Sequence, residues 1–178
     1  MLACYDRWRY SWGMIIRPEN PSDVAAIRAL VTTAFRDARH SAGNEAHILE
    51  ALRTGGALTV SLVAEDSDKI VGHVAFSPVA VSSHEVNWFG LGPLAVLAKY
   101  RRRGIGAALI QAGLERLKKL GARGCVVLGD PAYYRRFGFE SDPGLRLAYV
   151  PPEYFQRLVI DGELLRGMVH YHPAFSAS

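Results

Sequence analysis

A chain of 178 residues with 49% apolar and 21% charged residues can bury about 70% of its unfolded surface without staples, so one domain is expected. Its net charge of +4 comes from 17 Arg and 4 Lys against 17 acidic residues. Cys4 and Cys125 are far apart, which excludes a small disulfide scaffold and favours a reduced, cytoplasmic setting. No run approaches the ~18 to 20 apolar residues of a membrane-spanning helix, and Asp6, Arg7 and Arg9 interrupt the place of a signal-peptide core.

Residues 1–13 show no period and read as an extension, with a single domain over residues 14–178 that opens on a strand from Met14 to Arg17. Ser22 is placed to cap a helix in which Val24, Ile27, Leu30, Val31, Ala34 and Phe35 recur at helical spacing. After a loop through His40 and Gly43, Glu45, Ile48, Leu49 and Leu52 predict a second helix, stopped by Gly55 and Gly56. Leu58–Glu65 and Ile70–Val81 read as an antiparallel hairpin across Asp66, Ser67 and Asp68. A polar turn over Ser82–Asn87 then leads to a strand from Trp88 to Val96, where Gly90, Gly92 and Pro93 suggest a bulge or close backbone approach by a ligand. A long helix through Leu109, Ile110, Leu114 and Leu117 precedes a buried strand, Cys125–Leu128. Strand, helix, strand predicts that Trp88–Val96 and Cys125–Leu128 are parallel neighbours. A short helix from Ala132 to Phe137 and strands near Leu145–Val150 and Leu164–Tyr171 complete a mixed sheet, in an α/β or α+β class.

The chemistry concentrates in LGPLAVLAKYRRRGIGAALI, residues 91–110. A strand enters a basic, glycine-containing turn that opens a helix, so free amides and arginines can surround phosphate oxygens. It is not a P-loop, because Ala107 and Ala108 stand where Lys and Ser/Thr would bind a γ-phosphate and magnesium. Nor is it a dinucleotide fingerprint, since Leu109 occupies the third glycine position.

Arg101, Gly104 and Gly106 within YRRRGIG match Arg/Gln-x-x-Gly-x-Gly/Ala, and in this the chain resembles the GCN5-related N-acetyltransferase (GNAT) family. LAV at 94–96 resembles the family's fourth strand, and YYRRFGF at 133–139 resembles its Leu-Tyr-Glu-Lys-x-Gly-Phe run after the fifth. GLGPLAV, YRRRGIG and LGDPAYYRRFGF together resemble one bacterial subgroup. The resemblance implies a mixed central sheet with flanking helices, its fourth and fifth strands parallel and splayed. Acetyl-CoA would enter that splay as acyl donor. The amides of Leu94, Ala95 and Val96 would hold pantetheine and the thioester, and Arg101, Arg102, Arg103, Gly104, Ile105 and Gly106 the pyrophosphate. Tyr134, five residues before Phe139 like the family tyrosine, would protonate the departing thiolate; Tyr133 is its rival. The reaction implied is direct attack by an amine, on a small molecule or a protein, in a ternary complex.

The amine must lose a proton, and no Asp or Glu lies in the strand that would serve as the family's fourth. His73, Glu45, His84, Glu85 or water remain as bases. The alternative is a CoA-binding sensor or interaction module with this fold and no turnover, and the missing strand carboxylate is its support. His170 and His172 lie at i, i+2 with no nearby Cys or acid, so no metal is expected. Nucleic-acid binding through Arg101–Arg103 ranks last, because most of the arginines are scattered. The segment from Pro151 to Ser178 is expected to cap the cleft or build a homodimer contact.

Overall fold

The computed structural model describes residues 8–9, 13–36, 43–82 and 84–176. Cys4, the loop at His40 and the side chain of Glu85 lie outside the described residues. Among the described residues nine strands form one sheet: β1 (Trp8–Arg9), β2 (Ile15–Pro18), β3 (Val60–Asp66), β4 (Lys69–Val81), β5 (His84–Val96), β6 (Gly124–Leu128), β7 (Leu145–Leu147), β8 (Phe155–Val159) and β9 (Gly167–Tyr171). The helices are α1 (Val24–Phe35), α2 (Glu45–Thr54), α3 (Ile105–Lys119) and α4 (Pro131–Tyr134).

Strand alternation divides the core into two layers. Leu62 and Ala64 of β3, Val74 and Phe76 of β4 and Leu91 of β5 pack with Leu109, Ile110 and Leu117 of α3. Val63, Ala75 and Ala95 face the other way, onto Ile27, Leu30 and Val31 of α1 and Leu49 of α2. Each of these large side chains, fully buried, contributes about 1.5–3 kcal/mol.

Several local details depart from the sequence reading. The first helix is not capped by Ser22: the Asn20 amide donates to Asp23 Oδ2 at 2.6 Å, and a 3₁₀ turn, Pro21–Asp23, leads into α1. Glutamate at the third position of a capping box is here replaced by a shorter carboxylate that reaches back in the same way. The polar turn is shorter than expected, because Val81 pairs with His84 and β5 begins there. Trp8–Arg9, within the expected extension, pair with Ile15–Ile16. The largest addition is β8, which pairs along the whole of β6 from Gly124↔Val159 to Leu128↔Phe155.

The expected parallel pair is present. β5 and β6 run in register from Trp88↔Gly124 to Leu91↔Val127. There the pairing stops. Val74 opposes Leu94 whereas Phe76 opposes Leu91, so three steps of β5 are matched by two of β4. This extra residue is a bulge at Gly92–Pro93, with Gly92 at φ 151°, and bulges bend the strand that carries them. Beyond it, β5 keeps β4 on one side as far as Val96↔Gly72, while no described strand pairs with its other side. The sheet therefore opens into a wedge at Gly92–Val96.

Candidate functional site

Two clefts of about 620 Å³ each meet at this wedge. The first is lined by Leu94–Val96, by the turn and first residues of α3 (Arg101, Arg102, Gly104–Ala107), and by Tyr133 and Arg136. The second is lined by Leu91–Leu94, Glu45 and Ile48 of α2, Tyr134, and His170, Tyr171 and Phe175 near the C-terminus. Phe35 and Leu94 border both.

In the first cleft the turn is built by two left-handed residues, Arg102 at φ 60° and Gly104 at φ 80°. Gly104 is the N-cap of α3, and the first turn that follows contains no acidic residue. The leading amides of α3 therefore have no intrahelical acceptor and no carboxylate against them, an arrangement suited to an anion. Gly106 has a second reason to be glycine: a Cβ there would lie 2.8 Å from the Tyr133 hydroxyl. The side chain removed makes room for protein as well as for ligand.

The three arginines separate. Arg101 is a strap: its Nε donates to Val96 O at 3.1 Å and its Nη2 to Ala34 O at 3.0 Å, tying the turn to β5 and to the end of α1. Arg102 lines the first cleft. Arg103 is not among the lining residues and sits over the Tyr100 ring, 5.4 Å from its centroid. Leu94, Ala95, Val96, Gly104, Ile105 and Gly106 all line the cleft, as the sequence reading grouped them.

Asp130 caps α4 by accepting from the Ala132 amide at 2.9 Å, and this short helix sends its two tyrosines to different clefts. Tyr133 borders the first and Tyr134 the second. The Tyr134 ring stands edge-on to Phe139, 5.9 Å between centroids, and over Gly129, where a Cβ would lie 2.4 Å from Cε2. Gly129 is itself fixed, its amide donating to Tyr154 O at 2.9 Å and its carbonyl accepting from Gln156 Nε2 at 3.0 Å. Burial, with smaller effects from Tyr133 and Cys125, pushes the Tyr134 phenol well above its ordinary range. It stays protonated at neutral pH.

Of the acid–base residues named from sequence, Glu45 lines the second cleft. His73 does not: it is fully buried under α2 and its Nε2 lies 2.8 Å from Ser61 Oγ, in a network with Glu19 and Arg53. His84 is exposed at the β4–β5 turn, its Nδ1 2.9 Å from Ser82 O, and lines neither cleft. His170 and His172 diverge, because β9 ends at Tyr171. His170 lines the second cleft, while His172 Nδ1 accepts from the Ala174 amide at 3.2 Å. Among the described residues no three His, Cys, Asp or Glu side chains come together as a metal would need.

Phe175, in the C-terminal segment expected to cap the cleft, does line it, whereas sequence reasoning missed Phe35, Arg136 and Tyr171. Phe35 was visible as the last apolar position of the α1 stripe; the others reach the clefts through tertiary folding.

The chain that carries this bulged strand pair and the clefts beside it is similar to known proteins. The sequence profile of the Acetyltransferase (GNAT) family matches residues 24–139. The uncharacterized N-acetyltransferase YhbS of Escherichia coli K12 is 41% identical over 170 residues, 92% of this chain and 99% of that protein. A GNAT family acetyltransferase from Brucella melitensis, solved in complex with acetyl-CoA, superposes with a TM-score of 0.83 at 46% identity, covering 92% of this chain and 99% of the other. Escherichia coli YhbS, solved in complex with CoA, gives a TM-score of 0.84 at 37% identity and 96% coverage of both chains. With the family's profile spanning the wedge and relatives matching nearly end to end, the chain belongs to the GNAT family of acetyltransferases.

Proposed function

We propose that this chain transfers the acetyl group of acetyl-CoA to an amine, by direct attack in a ternary complex. The observation that carries the reading is the unpaired edge of β5 after Leu91, with the amides of α3 beside one cleft and Tyr134 beside the other. The residues fit the donor. An open strand edge suits the amide-bearing pantetheine arm, and the turn at Arg101–Gly106 suits a diphosphate. The CoA-bound YhbS and acetyl-CoA-bound Brucella relatives support the same assignment.

Bound acetyl-CoA supplies an activated thioester, and the chain's residues do the rest. Leu94–Val96 orient it through main-chain groups, and Phe35 and Leu94 stand where the two clefts meet. As the amine nitrogen bonds to the carbonyl carbon and the carbon–sulfur bond breaks, Tyr134 gives its proton to the sulfur. The proton lost by the amine passes to Glu45 or His170, which line the acceptor cleft. Glu45 thus supplies, from α2, the carboxylate absent from residues 88–96, which weakens the non-catalytic alternative.

The acceptor is an amine of a small molecule or a protein, and its cleft is walled in part by His170, Tyr171 and Phe175. This favours a capping role for the C-terminal segment over a homodimer contact, since one chain lines both clefts. Residues 14–178 form the catalytic domain, and the free, buried Cys125 thiol suits a cytoplasmic setting. Among the described residues no helix is long and apolar enough to cross a membrane.

The test is release of the CoA thiol from acetyl-CoA across a panel of primary amines. Tyr134→Phe is expected to lower kcat by about 10²- to 10⁴-fold while CoA affinity stays within about twofold. The same loss in Tyr133→Phe, with Tyr134→Phe fully active, would move the proton donor to Tyr133. A folded protein that does not bind acetyl-CoA would overturn the function.

A further inference from the structure

Arg136, in the segment that follows α4, lines the first cleft together with the turn before α3. It is exposed, yet its direction is set: the guanidinium carbon lies 4.0 Å from the centroid of the Tyr133 ring and 5.0 Å from that of Phe137. Tyr133 is held in turn, with its hydroxyl filling the space a Gly106 side chain would occupy and its ring 5.0 Å from that of Tyr134. The positive charge of Arg136 is also uncommitted. Arg17, Arg53 and Arg157 each pair with carboxylates and Arg101 is hydrogen-bonded to two carbonyls, whereas among the described residues no carboxylate lies at ion-pair distance from Arg136.

A guanidinium laid on an aromatic face keeps its N–H edge free and has already lost much of the freedom that binding would take away. Here that edge shares a cleft with the unopposed amides of α3 and with Arg102. Two positive elements, one from the turn and one from the segment after α4, thus face the same space.

We propose that Arg136, on its Tyr133 shelf, is a second phosphate-binding element, which adds a side-chain grip on the phosphates of CoA to that of the Arg101–Gly106 turn. The inference rests on the donor being acetyl-CoA and assigns to it a contact carried by a side chain, in addition to the main-chain contacts of the turn. It also joins binding to chemistry. The same seven residues, 131–137, carry the phosphate grip at Arg136 and the proton donor at Tyr134, so a donor lacking its phosphates loses an anchor beside the catalytic tyrosine.

Calorimetric titration of wild type, Arg136→Met and Arg136→Lys with CoA and with 3′-dephospho-CoA tests this, at about 50 mM and about 300 mM salt, where screening differs strongly. Methionine keeps an apolar stem over Tyr133 and removes the charge. Arg136→Met is expected to bind CoA about tenfold or more weakly at low salt, with the gap to wild type narrowing at high salt and Arg136→Lys falling between. An equal loss with 3′-dephospho-CoA assigns the contact to the diphosphate; a loss confined to CoA assigns it to the 3′-phosphate. Affinity of Arg136→Met within about twofold of wild type, or a loss that salt does not change, would overturn the proposal. Wild type failing to bind CoA at all would instead remove the donor, and the role of Arg136 with it.

Discussion

Ser61 has one proton to give and two neighbours that can receive it. Its hydroxyl donates to Glu19 Oε2, an acceptor only, so the contact with His73 Nε2 at 2.8 Å must run from imidazole to hydroxyl. His73 therefore carries a proton on Nε2, and burial, which disfavours a second proton, pushes its pKa below the ordinary 6.5. Burial alone would raise the Glu19 carboxyl, but His73 Nε2 at 3.7 Å and hydrogen bonds from Arg53 and Ser61 outweigh it and hold the pKa at about 2. Both folded-state values lie below the unfolded ones, so both groups stabilise the fold at high pH and withdraw that support on acidification. His73 does so as pH falls below 6.5 and Glu19 between 4.5 and about 2. Urea unfolding from pH 7 to pH 3 should show a decline beginning near the first of these values and steepening below the second. Glu19→Gln should cost about 1–3 kcal/mol at pH 7 and flatten the lower part of the curve; an unchanged slope would mean the carboxylate is not what titrates. At the reacting end, Gly129→Ala would push the Tyr134 ring from its seat. Its kcat should fall by about 10²-fold with CoA affinity kept, as read by the thiol-release assay.

At the scale of elements, what was legible depended on whether a segment's side chains announced its environment. The turn at Arg101–Gly106 was legible because phosphate binding requires backbone conformations and charges that few other sequences need. The parallel pair was legible because Trp88–Leu91 and Cys125–Val127 are apolar on both faces, as strands between two helical layers must be. β8 was not. Phe155–Val159 carries Gln156 and Arg157 at its centre, and both are buried, at 1% and 8% exposure. Each is satisfied, Gln156 by Gly129 O and Arg157 by Asp142 and Glu140, partners that lie far away in sequence. A strand whose inner positions are polar and paired looks like a loop until the pairing is seen. Parts of the clefts' outer walls were illegible for a related reason: Arg136 and Tyr171 acquire meaning only from what they come to face. α3 offers a test of packing against propensity. A Cβ on Gly113 would sit 2.2 Å from Phe76 Cε2, so Gly113→Ala should destabilise by about 1–3 kcal/mol in urea, although alanine is the better helix former by about 1 kcal/mol.

Over the whole molecule, a ligand that bridges β5, α3 and the α4 segment joins three separate parts of the chain. Saturation with acetyl-CoA at about 100 times Kd should add about 2.7 kcal/mol, which for a chain of this length raises Tm by roughly 5–10 °C. A thermal shift of that size with CoA and none with ATP or NAD would distinguish a pantetheine-reading wedge from a general anion site. The wedge itself follows from one surplus residue at Gly92–Pro93, beyond which residues 92–96 have no described strand partner on the β6 side. Side chains there answer to other masters: Ala95 is 2% exposed and belongs to the α1 layer of the core. Recognition written in the backbone is invisible to a scan that edits side chains. A systematic survey of Leu94–Val96 would register losses of stability, pass over the main-chain contact proposed for the donor without a signal, and report the stretch as ordinary core.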